Sequence, residues 1–335
     1  MRRINIKNII FRSSMLVSAV LFMCIMTGNR ANAETASDTW DAFIPKFTEA
    51  PESVRATKEI QLKTNVIDGV KVSYTVSKEK LADIDEKGMF TGKRVGTVTV
   101  RATFKTTVSG KEVSKEAACK IRIKGKKKIY IDPGHQSRAN GGLEQVGPGS
   151  SAKKMKVTGG CSGAATGIPE YKFNLVMGKK LREALLDKGY DVVMSRTKND
   201  VNISNVERAK KGNKSGADIC VRIHSDSVDD SSVRGVSVLY PSTANPYPIK
   251  KQAKKSKKLA KLLLDEYCKA TGIKSRGIVV RNDLSGTNWS KIPTVLIECG
   301  FQSNPAEDRL LNDPDMQKKM VKGMVNGIDK YFGYK

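Results

Sequence analysis

The chain has 335 residues, enough for two domains once a targeting segment is set aside. Its 60 Lys and Arg outnumber 34 Asp and Glu, and the formal net charge of +26 favours polyanionic surroundings. A zinc finger, an aromatic-studded RNA-binding strand and a recognition helix are all missing, which argues against nucleic acid as the partner.

Residues 1–33 read as a signal peptide: Arg2, Arg3, Lys7 and Arg12 give a basic start, Met15 to Met26 is nearly all apolar, and Ala31-Asn32-Ala33 has the form of a cleavage site. The apolar stretch falls short of the ~20 residues of a membrane-spanning helix, so no transmembrane segment is expected after cleavage. Met23 makes Cys24 a poor lipid-attachment site. An exported protein meets anionic cell-wall polymers first, so the expectation is a secreted, wall-associated protein whose basic surface faces those polymers. Lys250, Lys251, Lys254, Lys255, Lys257, Lys258 and Lys261 crowd one predicted helix, where many of them serve simply to solvate it. The cysteines after residue 33 (Cys119, Cys161, Cys220, Cys268 and Cys299) are odd in number without a CxxC pair, so no disulfide framework is implied. Cys220 and Cys299 read as packing residues, and Cys161, in a glycine-rich loop, as the candidate for thiol reactivity.

Residues 34–57 show no periodicity and form a lead-in segment. Over 58–124 the pattern alternates with period two: Val70, Val72, Tyr74 and Val76, then Val98, Val100, Ala102 and Phe104, then Cys119, Ile121 and Ile123. Turn signals at Asp68-Gly69, Gly88, Gly96 and Ser109-Gly110 separate these strands, which predicts a small antiparallel sandwich. The run from Ile84 to Val100 resembles bacterial immunoglobulin-like repeats. After the basic linker Lys124-Gly125-Lys126-Lys127-Lys128, apolar strands alternate with amphipathic helices, so residues 128–335 are expected to form an α/β domain with a central, largely parallel sheet flanked by helices. Strands are expected at 129–132, 191–195, 218–223, 235–240 and 294–298, and helices near 169–188, 203–213, 250–271 and 314–331.

The sequence has two histidines, His135 and His224, each just after a short apolar strand. In open α/β sheets the chemistry gathers beyond the carboxyl ends of the strands, and imidazole is a common zinc ligand. A third ligand is offered by the helix that follows Pro169. Its apolar stripe of Phe173, Val176, Met177, Leu181, Ala184 and Leu185 has Glu170 three residues before Phe173 on the same side. Alone, Glu170 would serve the positive helix N-terminus; beside two strand-end histidines it completes a His, Glu, His set of the kind that binds catalytic zinc. Glu298 ends another apolar strand, where a carboxylate is either salt-bridged or catalytic.

Four segments carry a family resemblance: Ile131-Asp132-Pro133-Gly134-His135; Glu170 with Asn174-Leu175; Val221-Arg222-Ile223-His224; and Pro293 to Asn304 around Glu298. Across about 128–335 the chain resembles the zinc-dependent N-acetylmuramoyl-L-alanine amidases of the cell-separation and sporulation type. The resemblance implies that His135, Glu170 and His224 bind Zn2+, that Glu298 is the catalytic acid and base, and that peptidoglycan is cut between N-acetylmuramic acid and L-alanine. Gln136 stands where the family has Gly, and Ser225-Asp226 where it has Ala-Asn; Asp226 is thus a candidate to orient a ligand or bind a substrate amine. The long loop 138–167 is expected to rim the cleft, with Lys153, Lys154 and Lys156 meeting substrate carboxylates. Arg196 and Arg208 read as loop-fixing partners of carboxylates, and Ser225 lacks the GxSxG elbow of a serine hydrolase. The rival readings are a zinc peptidase acting within the stem peptide and a non-catalytic wall-binding protein.

Overall fold

The computed structural model describes residues 37–334, so the expected signal peptide lies outside the described residues. Two compact units are present. The smaller is all-β apart from a short helix, α1, at 37–42. Its strands are β1 (Phe47–Glu49), β2 (Ser53–Arg55), β3 (Glu59–Gln61), β4 (Lys63–Thr64), β5 (Lys71–Val76), β6 (Ala82–Ile84), β7 (Met89–Gly92), β8 (Gly96–Val108) and β9 (Lys111–Lys124). They form a four-stranded sheet in the order β2-β9-β8-β5, a three-stranded sheet β3-β7-β6, and the pair β1-β4. The period-two pattern maps onto burial as expected, with Val98, Val100, Ala102 and Phe104 buried along β8 and Ile121 and Ile123 along β9. The lead-in is more ordered than its sequence implies: Trp40 and Phe43 are buried, and the Phe43 ring meets Phe104 edge-on at 5.4 Å. One aromatic on a short helix and a second just after it make too short a pattern to show a period.

The larger unit holds a six-stranded sheet in the order β13-β10-β14-β17-β15-β16, built from β10 (Lys128–Pro133), β13 (Asp191–Met194), β14 (Ile219–Asp226), β15 (Val236–Tyr240), β16 (Ser275–Val280) and β17 (Thr294–Phe301). Strands β13, β10, β14 and β17 are parallel, whereas β15 runs antiparallel to β17 and carries β16 parallel to itself. The sheet is therefore mixed. Its edge strand β16 escapes sequence reading because Ser275, Arg276 and Gly277 break any apolar run. A separate antiparallel hairpin, β11 (Asn140–Gln145) with β12 (Lys153–Val157), occupies the long loop.

Helices α2 (Glu170–Asp187), α3 (Asn205–Lys214), α4 (Lys250–Thr271) and α7 (Pro314–Phe332) lie where periodicity puts them; the short α5 (Ser285–Asn288) and α6 (Pro305–Asn312) are additional. Along β10 successive side chains face opposite ways: Ile129 and Ile131 enter the core shared with α2, α4 and α7, and Tyr130 turns to the other face, where its hydroxyl donates to the Arg208 carbonyl of α3 at 2.9 Å. In α2 the stripe is buried at Phe173, Met177, Leu181 and Leu185, but Val176 is 43% exposed. Helices α4 and α7 pack with close backbones. A Cβ at Gly327 would lie 2.7 Å from Leu263 Cα, and one at Gly323 2.6 Å from Tyr267 Cα.

Candidate metal centre

Strand β10 ends at Pro133, and the chain turns so that His135 adopts φ +57°, a left-handed conformation uncommon outside glycine. Surrounding donors hold that turn. Gly134 N donates to the Ile223 carbonyl at 2.9 Å. Arg208 reaches the Pro133 carbonyl at 2.7 Å and that of His135 at 2.8 Å, while Arg196 donates to those of Pro133 and Gly134 at 3.0 and 2.9 Å. Arg208 meets the carboxylate expected of it, Asp132, at 2.9 Å, and Arg222 binds the other Asp132 oxygen at 2.9 Å. Burial works against this carboxylate, but the two guanidiniums outweigh it and hold Asp132 well below the usual carboxylate range. Arg196 departs from expectation: all its partners are carbonyl or amide oxygens. Gln136 is buried, and its Oε1 accepts from Ile203 N and Arg208, bracing the same turn.

Glu170 opens α2 directly after Pro169, which is the N-cap, with extended backbone, rather than the first helical residue. The glycine-rich loop wraps this carboxylate: Cys161 N donates to Oε2 at 3.3 Å, and a Cβ at Gly160 would lie 2.7 Å from the same oxygen. His135 Nε2 lies 3.1 Å from Glu170 Oε2, and His224 Nδ1 lies 3.0 Å from Oε1. One donor atom from each residue falls within 4.8 Å of the others. His135 Nδ1 sits 2.9 Å from the Thr158 carbonyl oxygen, so in neutral imidazole its proton belongs there. That leaves the Nε2 lone pair facing a carboxylate oxygen, an approach that calls for a cation between them. His224 Nε2 is buried without a partner among the described residues. Burial pushes the His224 imidazolium down to about 4, against the pull of Glu170; burial also opposes ionisation of Glu170, but the two histidines hold its carboxyl well below the usual range. The imidazole of His224, kept neutral by burial, the Nε2 of His135 aimed at Glu170, and the ionised carboxylate fit a divalent metal such as zinc.

Strand register brings in Glu298. β14 and β17 pair in parallel with His224 directly beside Glu298. Glu298 Oε2 is buried and lacks a partner among the described residues. Burial first, then the Glu170 and Asp226 carboxylates, push its carboxyl well above the usual range. A cavity of about 470 Å³ is lined by His135, His224 and Glu298 together with Arg222, Arg281 and Lys154.

Of the three loop lysines, Lys154 alone lines that cavity. Lys153 is exposed on the same strand, and Lys156 is half-buried with its aliphatic chain near Gly142. Asp226 ends β14, half-buried, and accepts from Ser227 N at 2.8 Å. Cys161 is not an activated thiol: burial and the neighbouring Glu170 raise it, and Sγ lies 3.2 Å from Gln302 Oε1. Sequence reasoning missed Arg281 and Asp283, which follow the unpredicted β16.

The N-acetylmuramoyl-L-alanine amidase profile matches residues 129–330. The chain belongs to this family. An N-acetylmuramoyl-L-alanine amidase of Mycobacterium tuberculosis is 30% identical over 208 residues, 60% of this chain and 84% of that protein. The probable cell wall amidase LytH of Staphylococcus epidermidis is 27% identical over 296 residues, 87% of this chain and 88% of that protein. Among solved structures, the N-acetylmuramyl-L-alanine amidase of Mycobacterium smegmatis superposes with a TM-score of 0.57 at 29% identity, covering 62% of this chain and 98% of that one. The family match spans every strand end that contributes to the cavity, so the mixed α/β unit is the amidase domain.

Proposed function

We propose that the chain hydrolyses the amide bond between N-acetylmuramic acid and L-alanine in peptidoglycan, with zinc held by His135, Glu170 and His224. The observation that carries this reading is the convergence of these three side chains at the ends of β10 and β14 and the start of α2, with Glu298 in register beside His224. Zinc at these residues supplies Lewis acidity toward the lactyl carbonyl and lowers the pKa of water to about 7. Glu298 takes a proton from the attacking water as the new C–O bond forms, and delivers a proton to the alanine nitrogen as the C–N bond breaks. Its Oε2, buried and without a partner among the described residues, is free to carry the proton between those steps. Arg196 and Arg208 act as positioning residues that hold the His135 turn.

We read residues 58–124 as an immunoglobulin-like module preceding a catalytic domain at 128–335, and residues 1–33 as an export signal that delivers the enzyme to the wall. The period-two strand cores and the net charge of +26 support this, the latter through attraction to anionic wall polymers. The test combines metal analysis with product identification. Purified enzyme should carry zinc and release intact peptides that begin with L-alanine, and Glu298→Gln should keep its zinc while losing about 10²–10⁴-fold in turnover. Shortened peptides left on muramic acid would mean a stem peptidase, and full activity in Glu298→Gln would remove its assigned role.

A further inference from the structure

We propose that Arg281, with Lys154 beside it, forms a carboxylate-binding subsite for the free α-carboxylate of the second stem residue, a γ-linked D-glutamate, and so favours that residue over its amidated form. The inference rests on the amidase reading of the same cleft. The cavity that holds His135, His224 and Glu298 has Lys154, Arg281 and Asp283 in its lining as well. Asp283 accepts from Arg281 Nε at 2.7 Å and Nη2 at 2.9 Å, and from Lys154 Nζ at 2.6 Å. One carboxylate between two cations leaves a net positive charge, and the bidentate pair fixes the plane of the guanidinium. Arg281 Nη1 makes no hydrogen bond among the described residues, and the side chain keeps 43% of its surface exposed. A planar donor thus faces the cleft with its orientation already set.

The charge lies close to the reacting centre without being consumed by it. Arg281 acts electrostatically on both Glu298 and Asp226, yet its hydrogen bonds go to Asp283 rather than to either. The substrate offers few anions there. On the glycan side are hydroxyls and acetamides, and L-alanine presents a methyl group. The first charge on the peptide side is the α-carboxylate of the γ-linked glutamate, within about 7 Å of the leaving nitrogen for a chain that extends at most about 3.6 Å per residue. Amidation of that carboxylate removes the charge and puts an NH₂ donor before the Arg281 donors, so a subsite built for the acid should reject the amide.

The experiment measures kcat and KM of the zinc-loaded full chain on two soluble muramoyl peptides that differ only in D-glutamate or D-isoglutamine at the second position. Wild type should favour the acid by about tenfold or more in kcat/KM, the scale of one charge-assisted hydrogen bond. Arg281→Met should erase that preference, chiefly through KM on the acid, and Arg281→Lys should restore part of it. Equal losses on both substrates in Arg281→Met would overturn the proposal in favour of a general electrostatic effect on Glu298. So would a wild type that cleaves both peptides without discrimination. Release of peptide from neither substrate would instead refute the amidase reading, and the subsite with it.

Discussion

Gly134 is set by a side chain from a neighbouring strand. A Cβ there would lie 2.2 Å from both Cε1 and Nε2 of His224, which no real contact tolerates. Gly134→Ala should therefore push the imidazole off its position and weaken zinc binding by about 10–100-fold, the range seen when support of a metal ligand is lost. Zinc titration of the variant checks this, and an unchanged affinity would show that the ring has room to move. Asp132 makes a different prediction. Its carboxylate, bridged by Arg208 and Arg222, titrates below the unfolded value of about 4. A depressed folded pKa contributes stability that is complete above the unfolded pKa and is lost as pH falls toward the folded one. Denaturant midpoints should thus drop steeply below about pH 4, and Asp132→Asn should cost about 3–5 kcal/mol at neutral pH by leaving two buried guanidiniums uncompensated. A variant as stable as wild type at pH 7 would refute that account. At this scale, the candidates His135, His224 and Glu298 were legible because ionisable residues at the ends of apolar strands are conspicuous, and Glu170 because it shares the apolar stripe of α2 at the start of that helix. Arg281 and Asp283 were not, since nothing local marks the turn after β16 as the wall of a cleft.

The α4/α7 pair turns a propensity argument around. Gly327 sits inside α7, where replacing glycine by alanine normally favours the helix by about 0.8–1.0 kcal/mol. Here the new methyl group would lie 2.7 Å from Leu263 Cα and 3.0 Å from the Leu262 carbonyl oxygen, backbone atoms that cannot swing aside. Overpacking of this kind costs about 1–3 kcal/mol, so Gly327→Ala should destabilise the amidase domain despite its better helix propensity. Chemical denaturation of the metal-free protein measures it directly, and a gain in stability would mean that the helices separate easily. Both helices were visible in the sequence, and their buried faces repeat every four residues at Leu259, Leu263 and Tyr267 and at Met320, Met324 and Ile328. Their distance of approach was not, because a glycine within a helix looks like a weakness until its neighbour is known. The reversal of β15 was equally hidden: a buried strand such as Val236–Tyr240 has the same apolar run whichever way it points.

At the scale of the molecule, charge separates two kinds of recognition. The seven lysines of α4 from Lys250 to Lys261 are all exposed, while Ala253, Ser256, Leu259 and Ala260 face inward, so the helix presents a cationic face without an acidic residue in its first three turns. Attraction between such a face and a phosphate-rich wall polymer is long-ranged and solvent-exposed. Raising salt from 0.1 to 1 M shortens the screening length from about 10 Å to about 3 Å and should weaken it sharply. Amide hydrolysis of a short soluble muramoyl peptide depends on groups inside the cleft, which bulk salt screens far less. Adsorption to walls that carry anionic polymer should therefore fall by an order of magnitude or more over that range, while turnover of the soluble peptide changes only slightly. Neutralising Lys254, Lys255, Lys257 and Lys258 together should flatten the salt dependence of adsorption and spare the soluble assay. Sedimentation with walls before and after removal of their anionic polymer decides the matter: if adsorption persists on stripped walls with the same salt slope, the lysines serve only to solvate α4, and retention must come from peptidoglycan itself.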